Sequence, residues 1–309
     1  MTGALAACAR HGRWLLVAGL VLGIALPPLA RLMAGAIVPL IAFMLFLAGL
    51  RLGPDRALPP RRALPRALLV TLLLQTALPL LAGAALAAAG VLDSVAGMGI
   101  VLVLAAAPIT GTVGLALMSG ADGTMALRQL VLGTVLLPLT AAPVFALLPV
   151  FDGAAGVAQG ALRLMAVIGL AGGAAVLARR VLPVLGASRA QAALDGLLAL
   201  AMGAVVVGLM AAVGPAILGR DPALPGLLAL AFALNLGLEL GVWSLARGTV
   251  PASEAAALAI AAGNRNLALF LAALPPETAT RLLLFVGCFQ VPMYLTPLIL
   301  PRLLHGRRT

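Results

Sequence analysis

Hydrophobic residues fill this chain in long stretches separated by short polar or proline-containing breaks, without the period-two alternation of a half-buried strand or the one-sided stripe of a soluble helix. A stretch of roughly 20 apolar residues crosses a hydrocarbon core of about 30 Å as a helix. Ten stretches qualify: Trp14–Ala30, Leu32–Leu50, Arg66–Ala89, Leu92–Gly120, Thr124–Val150, Val157–Val181, Gln191–Leu218, Leu224–Ala246, Ala252–Leu274 and Thr278–Leu304. Runs this rich in alanine and leucine satisfy their backbone in lipid only as helices. The Pro27-Pro28 pair marks the division between the first two, and the other connections are short. The pattern therefore predicts an all-α membrane protein of ten transmembrane helices in a single domain, with no soluble domain inserted.

Composition agrees. At 63% hydrophobic and 9% charged over 309 residues, the chain is far from the soluble norm of about 45–50% apolar and about 25% charged. Disordered and disulfide-framed secreted classes are excluded with the soluble globule. Twenty basic residues outnumber nine acidic ones, a balance that in a soluble protein would raise nucleic-acid binding. Here every base is an arginine, and nearly all lie between apolar runs, where they act as topology determinants. The partner surface is the bilayer, not a nucleic acid. Cys8 and Cys288 give neither metal spacing nor a disulfide framework. Arg10, His11 and Arg13 precede an apolar stretch as in a signal peptide, but no small-residue cleavage site follows, so a retained first helix is expected.

Arginine placement orients the chain. With the N-terminus inside, fifteen arginines fall on the cytoplasmic side, four on the other (Arg31, Arg163, Arg220, Arg281), and Arg265 lies within a span. Both termini are then cytoplasmic, in a plasma membrane that would be the inner membrane of a bacterium. Ten spans divide five and five, and an odd number per half means that a duplicated half enters from the opposite side, giving inverted repeats over residues 1–150 and 151–309. Gly114-Leu115-Ala116-Leu117 is echoed by Asn266-Leu267-Ala268-Leu269 at an offset of 152, and Gln75 by Asn235 at an offset of 160.

Corresponding spans of the two halves, 4 and 9, are interrupted near mid-membrane. Span 4 carries Pro108 and Gly111, and span 9 carries Gly263 followed by Asn264, Arg265 and Asn266. Proline removes a backbone donor and glycine relaxes the backbone, so each span is expected to split into half-helices. Free backbone groups at such depth are tolerated where they line a site, and paired breaks point to a transporter's binding site.

Arg265 is the most informative residue. A guanidinium at mid-bilayer costs from about 2.5 to more than 10 kcal/mol, so it must face the interior and find a partner. Glu239, the only carboxylate deep within a span, is the candidate partner, with Asn235 one turn before it; alternatively Glu239 titrates and couples transport to protons. The planar fork of Arg265 suits a carboxylate, sulfate or phosphonate. Asn264 and Asn266, Thr110 and Thr112 in span 4, Gln75 in span 3 and Thr134 in span 5 complete the candidate substrate-binding set. No nucleophile, metal-ligand or phosphate-loop pattern is present, which argues against an enzyme and against a cofactor.

Several of these motifs together resemble the bile acid:sodium symporter family. They are Pro39-Leu40-Ile41-Ala42-Phe43-Met44-Leu45-Phe46 with Gly49-Leu50 and Asp55, Gln75 with Pro79, and Pro108 leading to Gly120-Ala121-Asp122. The resemblance implies ten spans in two inverted halves, crossed broken helices at spans 4 and 9, a panel of spans 1, 2, 6 and 7, and a core of spans 3, 4, 5, 8, 9 and 10. It also implies carriage of an organic anion. In span 9 the family pattern is Glu-x-Gly-x-Gln-Asn; Gly263 and Asn266 match it, while Ala261 replaces the Glu and Arg265 the Gln. Val113 and Gly114 stand where span 4 of the family has Ser-Asn. Both sodium sites of the family thus lack main ligands, and hard cations need clustered oxygens. One arginine without the carboxylate leaves the same net charge as two sodium ions with it, so Arg265 is expected to replace bound sodium in a sodium-independent or proton-linked carrier. Ten-span drug/metabolite-type transporters and non-transporting receptors or scaffolds are the competing readings. The first predicts no broken span with a buried arginine, and the second a permanent Arg265–Glu239 pair.

Overall fold

The computed structural model describes residues 2–52 and 61–305; Asp55, Arg56, Arg307 and Arg308, to which the sequence gives a part in the topology, lie outside the described residues. Helices follow one another in the order Thr2–Arg10 (α1), Gly12–Ala25 (α2), Pro27–Ala34 (α3), Ile37–Leu52 (α4), Leu64–Ala88 (α5), Val95–Ala105 (α6), Thr112–Met118 (α7), Gly123–Phe145 (α8) and Gly153–Val181 (α9). A 3₁₀ segment Pro183–Gly186, Ser188–Leu209 (α10), Val213–Leu218 (α11), Ala223–Ala246 (α12), Ala252–Gly263 (α13), a second 3₁₀ segment Leu267–Ala272 and Pro276–His305 (α14) complete the order. No strand occurs among the described residues.

Six helices, α5, α8, α9, α10, α12 and α14, are individually long and apolar enough to cross a membrane, and the bent pair α2–α3 makes a seventh if taken as one span. The chain is a multi-pass, all-α membrane protein. Sequence runs and helices differ in five places. The second run does not begin a helix at Leu32: α3 carries on to Ala34 and α4 starts at Ile37. The first run does not continue straight to Ala30 but turns by 110° at Leu26, because proline disfavours helical backbone in the residue before it and Pro27 starts a new helix. The seventh run divides at Met210–Ala212 into α10 and α11, and the fifth ends its helix at Phe145, short of Val150. The segment ahead of the first run, which the hydrophobic pattern leaves out of every span, is helical as α1.

Glycines explain how α1 and α2 lie along α10. A Cβ on Gly196 would sit 2.1 Å from the Leu5 carbonyl oxygen, and one on Gly19 2.7 Å from that of Gly203. Small residues let backbones approach this closely where lipid supplies no hydrophobic drive. Leu5 meets Gly196, Gly19 meets Gly203 and Ile24 meets Gly214, so the two segments run in the same direction.

At the centre, α6 and α13 are buried all round: Gly97–Gly99 and Val101–Ala105 in the first, Ala255–Gly263 in the second. Helices apolar on every face belong in a protein interior. With 11 and 12 residues they extend only about 16–18 Å, half a bilayer. Connections gather at two ends. At one end Arg51 pairs with Asp195 at 2.6 Å, Arg179 donates to the Leu50 carbonyl, Arg66 donates to Thr249 and the Asp122 amide donates to the Ser253 carbonyl. At the other, Arg281 donates to the Asp93 carbonyl, and Phe145 stacks on Phe151 and meets Phe270 edge-on.

Candidate functional site

Both central helices stop where the sequence breaks them. Ala106 leaves the helix in an extended conformation (φ −66°, ψ 150°) two residues before Pro108, whose ring denies helical backbone to Ala107. Helix α13 stops at Gly263, and Asn264 follows at φ −95°, ψ 84°. The freed segments pair with each other in an antiparallel bridge centred on Pro108 and Arg265. The Ile109 amide donates to the Asn264 carbonyl (2.9 Å) and the Asn266 amide to the Ala107 carbonyl (2.7 Å). In the bridge Ala107 faces Asn266, Pro108 faces Arg265 and Ile109 faces Asn264, and the two central residues stand 157 apart. The sequence echo at an offset of 152 is five residues out of this register.

Arg265 lies in this bridge with 1% of its surface exposed. Its Nε donates to the Ala262 carbonyl (2.6 Å) and its Nη1 to the Ala106 carbonyl (2.8 Å). These are terminal carbonyls of α13 and α6, so one guanidinium caps two converging helix C-termini. Each such end carries roughly half a negative charge, and together they match one cation. The expected ion pair with Glu239 is not formed: the only ion pair among the described residues is Arg51–Asp195. The extended backbone explains this, because consecutive side chains in it point to opposite faces. Asn264 turns toward α12 and Arg265 away from it.

Glu239 is held differently. Its Oε1 accepts from Asn264 Nδ2 and from Thr296 Oγ1, each at 2.8 Å. Asn235 Nδ2 donates to the Gly263 carbonyl (2.9 Å), and Asn264 Nδ2 also reaches the Ile260 carbonyl. Gln75 plays the part of Asn235 in the other half, with Nε2 toward the Ala106 carbonyl (3.5 Å) and Oε1 accepting from Thr140 (3.3 Å). It sits in a π turn, Leu73–Ala77, because Pro79 has no N–H to give to the Gln75 carbonyl four residues back.

Two cavities flank the bridge. The larger, of about 40 Å³, lies between α4 and α10 on one side and the bridge and α14 on the other. Ile41, Met44, Leu45, Met202, Val205 and Leu209 form its apolar wall; Thr110, Arg265, Asn266, Gln290 and Tyr294 form the polar one. The smaller, of about 10 Å³, is lined by Thr71, Gln75, Gln129, Gly133, Pro108 and Arg265 among others, room for no more than a single water. Arg265 lines both, and its guanidinium shares the Ala106 carbonyl with Gln75, which lines only the smaller one.

Of the residues expected at the site, Arg265, Asn266 and Thr110 meet at the larger cavity and Gln75 at the smaller, while Asn264, Asn235 and Glu239 form a polar cluster behind the break. Thr112 is spent locally on the Ile109 carbonyl. Thr134 lines neither cavity; its neighbour Gly133 does, and Thr140 takes the hydrogen bond to Gln75. Gly111 and Gly263 lie outside the left-handed region; Gly263 is needed for clearance, since a Cβ there would lie 2.3 Å from Glu239 Cγ. Gln129, Gln290, Tyr294 and Thr296 join the site without having been expected there. Tyr294 is the chain's one tyrosine, and its position four residues after Gln290 is a legible signal of a polar face on the last span. Neither a protein-family model nor a curated protein matches the chain.

Proposed function

We propose that this protein is a secondary transporter of an organic anion, built like the bile acid:sodium symporters, in which the fixed charge of Arg265 does the work of bound sodium. Transport is then sodium-independent or linked to protons, and the chain performs no enzymatic step. The observation that carries the reading is the capping of two opposed half-helices by one buried guanidinium. Half-helix C-termini at mid-membrane are where carriers of this kind hold their coupling cations, and here a side chain holds that place permanently.

Ten crossings in two inverted halves accommodate the short helices α6 and α13 as halves of broken spans. The meeting of the two breaks in one bridge and the parallel roles of Gln75 and Asn235, each donating to the carbonyl at the end of a central helix, support the repeat. Grouping of the connections at two ends supports the alternating path, with both termini on the arginine-rich cytoplasmic face. The substrate occupies the larger cavity, its apolar part against α4 and α10 and its anionic group toward Thr110, Asn266 and the field of Arg265. Rocking of the panel containing α4 and α10 against the core opens the cavity alternately. A permanent scaffold was tied to an Arg265–Glu239 pair, which is not formed.

Uptake of radiolabelled organic acids into proteoliposomes tests the proposal. At least one carboxylate or sulfonate with an apolar body is expected to enter at the same initial rate in choline as in sodium medium. Absence of flux for every acid, or strict dependence on sodium, overturns it.

A further inference from the structure

Two buried acceptor oxygens on α12, Oε2 of Glu239 and Oδ1 of Asn235, have no hydrogen-bond partner, and each exposes less than 1 Å². Both residues have 0% exposure. They stand four apart on one helix, which places their side chains on the same face one turn apart. The rest of the cluster is satisfied: Oε1 of Glu239 has two donors and Asn235 Nδ2 has the Gly263 carbonyl. Buried acceptors without donors are rare and costly, most of all on a carboxylate. Neither residue lines either of the two cavities at the bridge, so water held there does not supply the missing donor.

Nor does a neighbouring charge. Helix α13 and the break bring Asn264 and Arg265; the latter gives Nε and Nη1 to the Ala262 and Ala106 carbonyls, and its Nη2, though without a partner, makes no ion pair with Glu239, while Glu254 stands at the opposite end of α13. Helix α14 brings Thr296; its Gln290 and Tyr294 line the larger cavity, and its Arg281, which donates to the Asp93 carbonyl, forms no ion pair with Glu239. Helix α6 carries no titratable residue. The C-terminal end of α13, against which the carboxyl lies, adds partial negative charge and disfavours an anion there.

We infer that Glu239 carries a proton on Oε2 that is donated to Asn235 Oδ1, and that this is the proton exchanged during the transport cycle. A proton needs no cavity, and one proton satisfies both orphaned oxygens by making one of them a donor. In the cycle the carboxyl O–H bond breaks with the proton passing to water on one side of the membrane, leaving a carboxylate. It re-forms with a proton taken from water on the other side, so one proton moves and nothing is oxidised or reduced. Asn264 ties the carboxyl to the residue beside Arg265, so loss of the proton changes the field at the anion cavity. The inference rests on the transport reading above.

Infrared spectroscopy and flux measurements on the full chain test it. At neutral pH the wild type should show the C=O stretch of a protonated carboxyl that vanishes in Glu239→Gln and shifts in Asn235→Leu. The glutamine amide reproduces the protonated donor, so Glu239→Gln should unfold at a temperature no lower than the wild type. An inward proton gradient should speed organic-acid uptake several-fold in the wild type and leave Glu239→Gln uptake unchanged. A missing carboxyl band, a gradient response that persists in Glu239→Gln, or stabilisation by sodium that Glu239→Gln abolishes each overturns the inference. Where the band is present but no acid moves in the wild type, the transport reading fails and the proton assignment stands.

Discussion

Replacing Arg265 by alanine is expected to cut organic-anion uptake by about ten- to hundredfold, the range that follows from losing a charge-assisted contact worth about 1.5–3 kcal/mol. The substitution removes the positive charge at the larger cavity and strips the donor from the Ala262 and Ala106 carbonyls. Two negative helix ends then face each other without a cation between them. Because that also threatens folding, Arg265→Lys is the companion variant. Lysine restores the charge but not the fork that reaches two carbonyls from one plane, so its uptake should fall between alanine and wild type. Initial rates in proteoliposomes, normalised to protein that elutes as a single folded species, provide the comparison. Unchanged uptake in Arg265→Ala removes the arginine from the mechanism.

Adding one methyl group at Gly263 should be nearly as damaging. A Cβ there would lie 2.3 Å from Glu239 Cγ and 2.7 Å from the Asn235 carbonyl oxygen. The second neighbour is backbone and cannot swing away, so α12 and α13 must separate. Overpacking of this kind costs about 1–3 kcal/mol, and the separation pulls Asn264 off Glu239 and the bridge off Pro108. Gly263→Ala should therefore lower the unfolding temperature and abolish most uptake, whereas Gly237→Ala on α12, with nothing within 4 Å of its added carbon, should match the wild type in both. Equal stability of the two variants in a thermal unfolding assay contradicts this packing.

The interruptions at Pro108 and Gly263 are legible in the sequence because a proline, or a polar triplet, inside an apolar run is incompatible with an unbroken helix facing lipid. That they meet is foreshadowed by their matching places in the two halves, although the register is five residues off, since alanine and leucine repeat too freely to fix an alignment. Illegible is the partner of Arg265. Sequence displays side chains, which makes Glu239 the obvious candidate, while the true acceptors are backbone carbonyls released only once the helices end. Thr134 and Thr140 lie six apart on α8 and face different ways, a distinction that needs the rotation of the helix against α5. On α14 the four-residue spacing of Gln290 and Tyr294 marks a polar face, while Thr296, six residues after Gln290, falls outside that spacing. The bend at Leu26 is marked by Pro27-Pro28, but its angle depends on packing against α10 through Gly19 and Gly23.

If a resident guanidinium, not a recruited metal ion, prepares this protein to hold an anion, binding must depend on the ligand's charge and not on sodium. Thermal-shift titration of the purified protein in sodium-free choline buffer measures it most directly, with an organic acid and its neutral amide as paired ligands. The acid should raise the unfolding temperature, equally with and without sodium, and the amide should not. Stabilisation that requires sodium, or equal stabilisation by acid and amide, would contradict it.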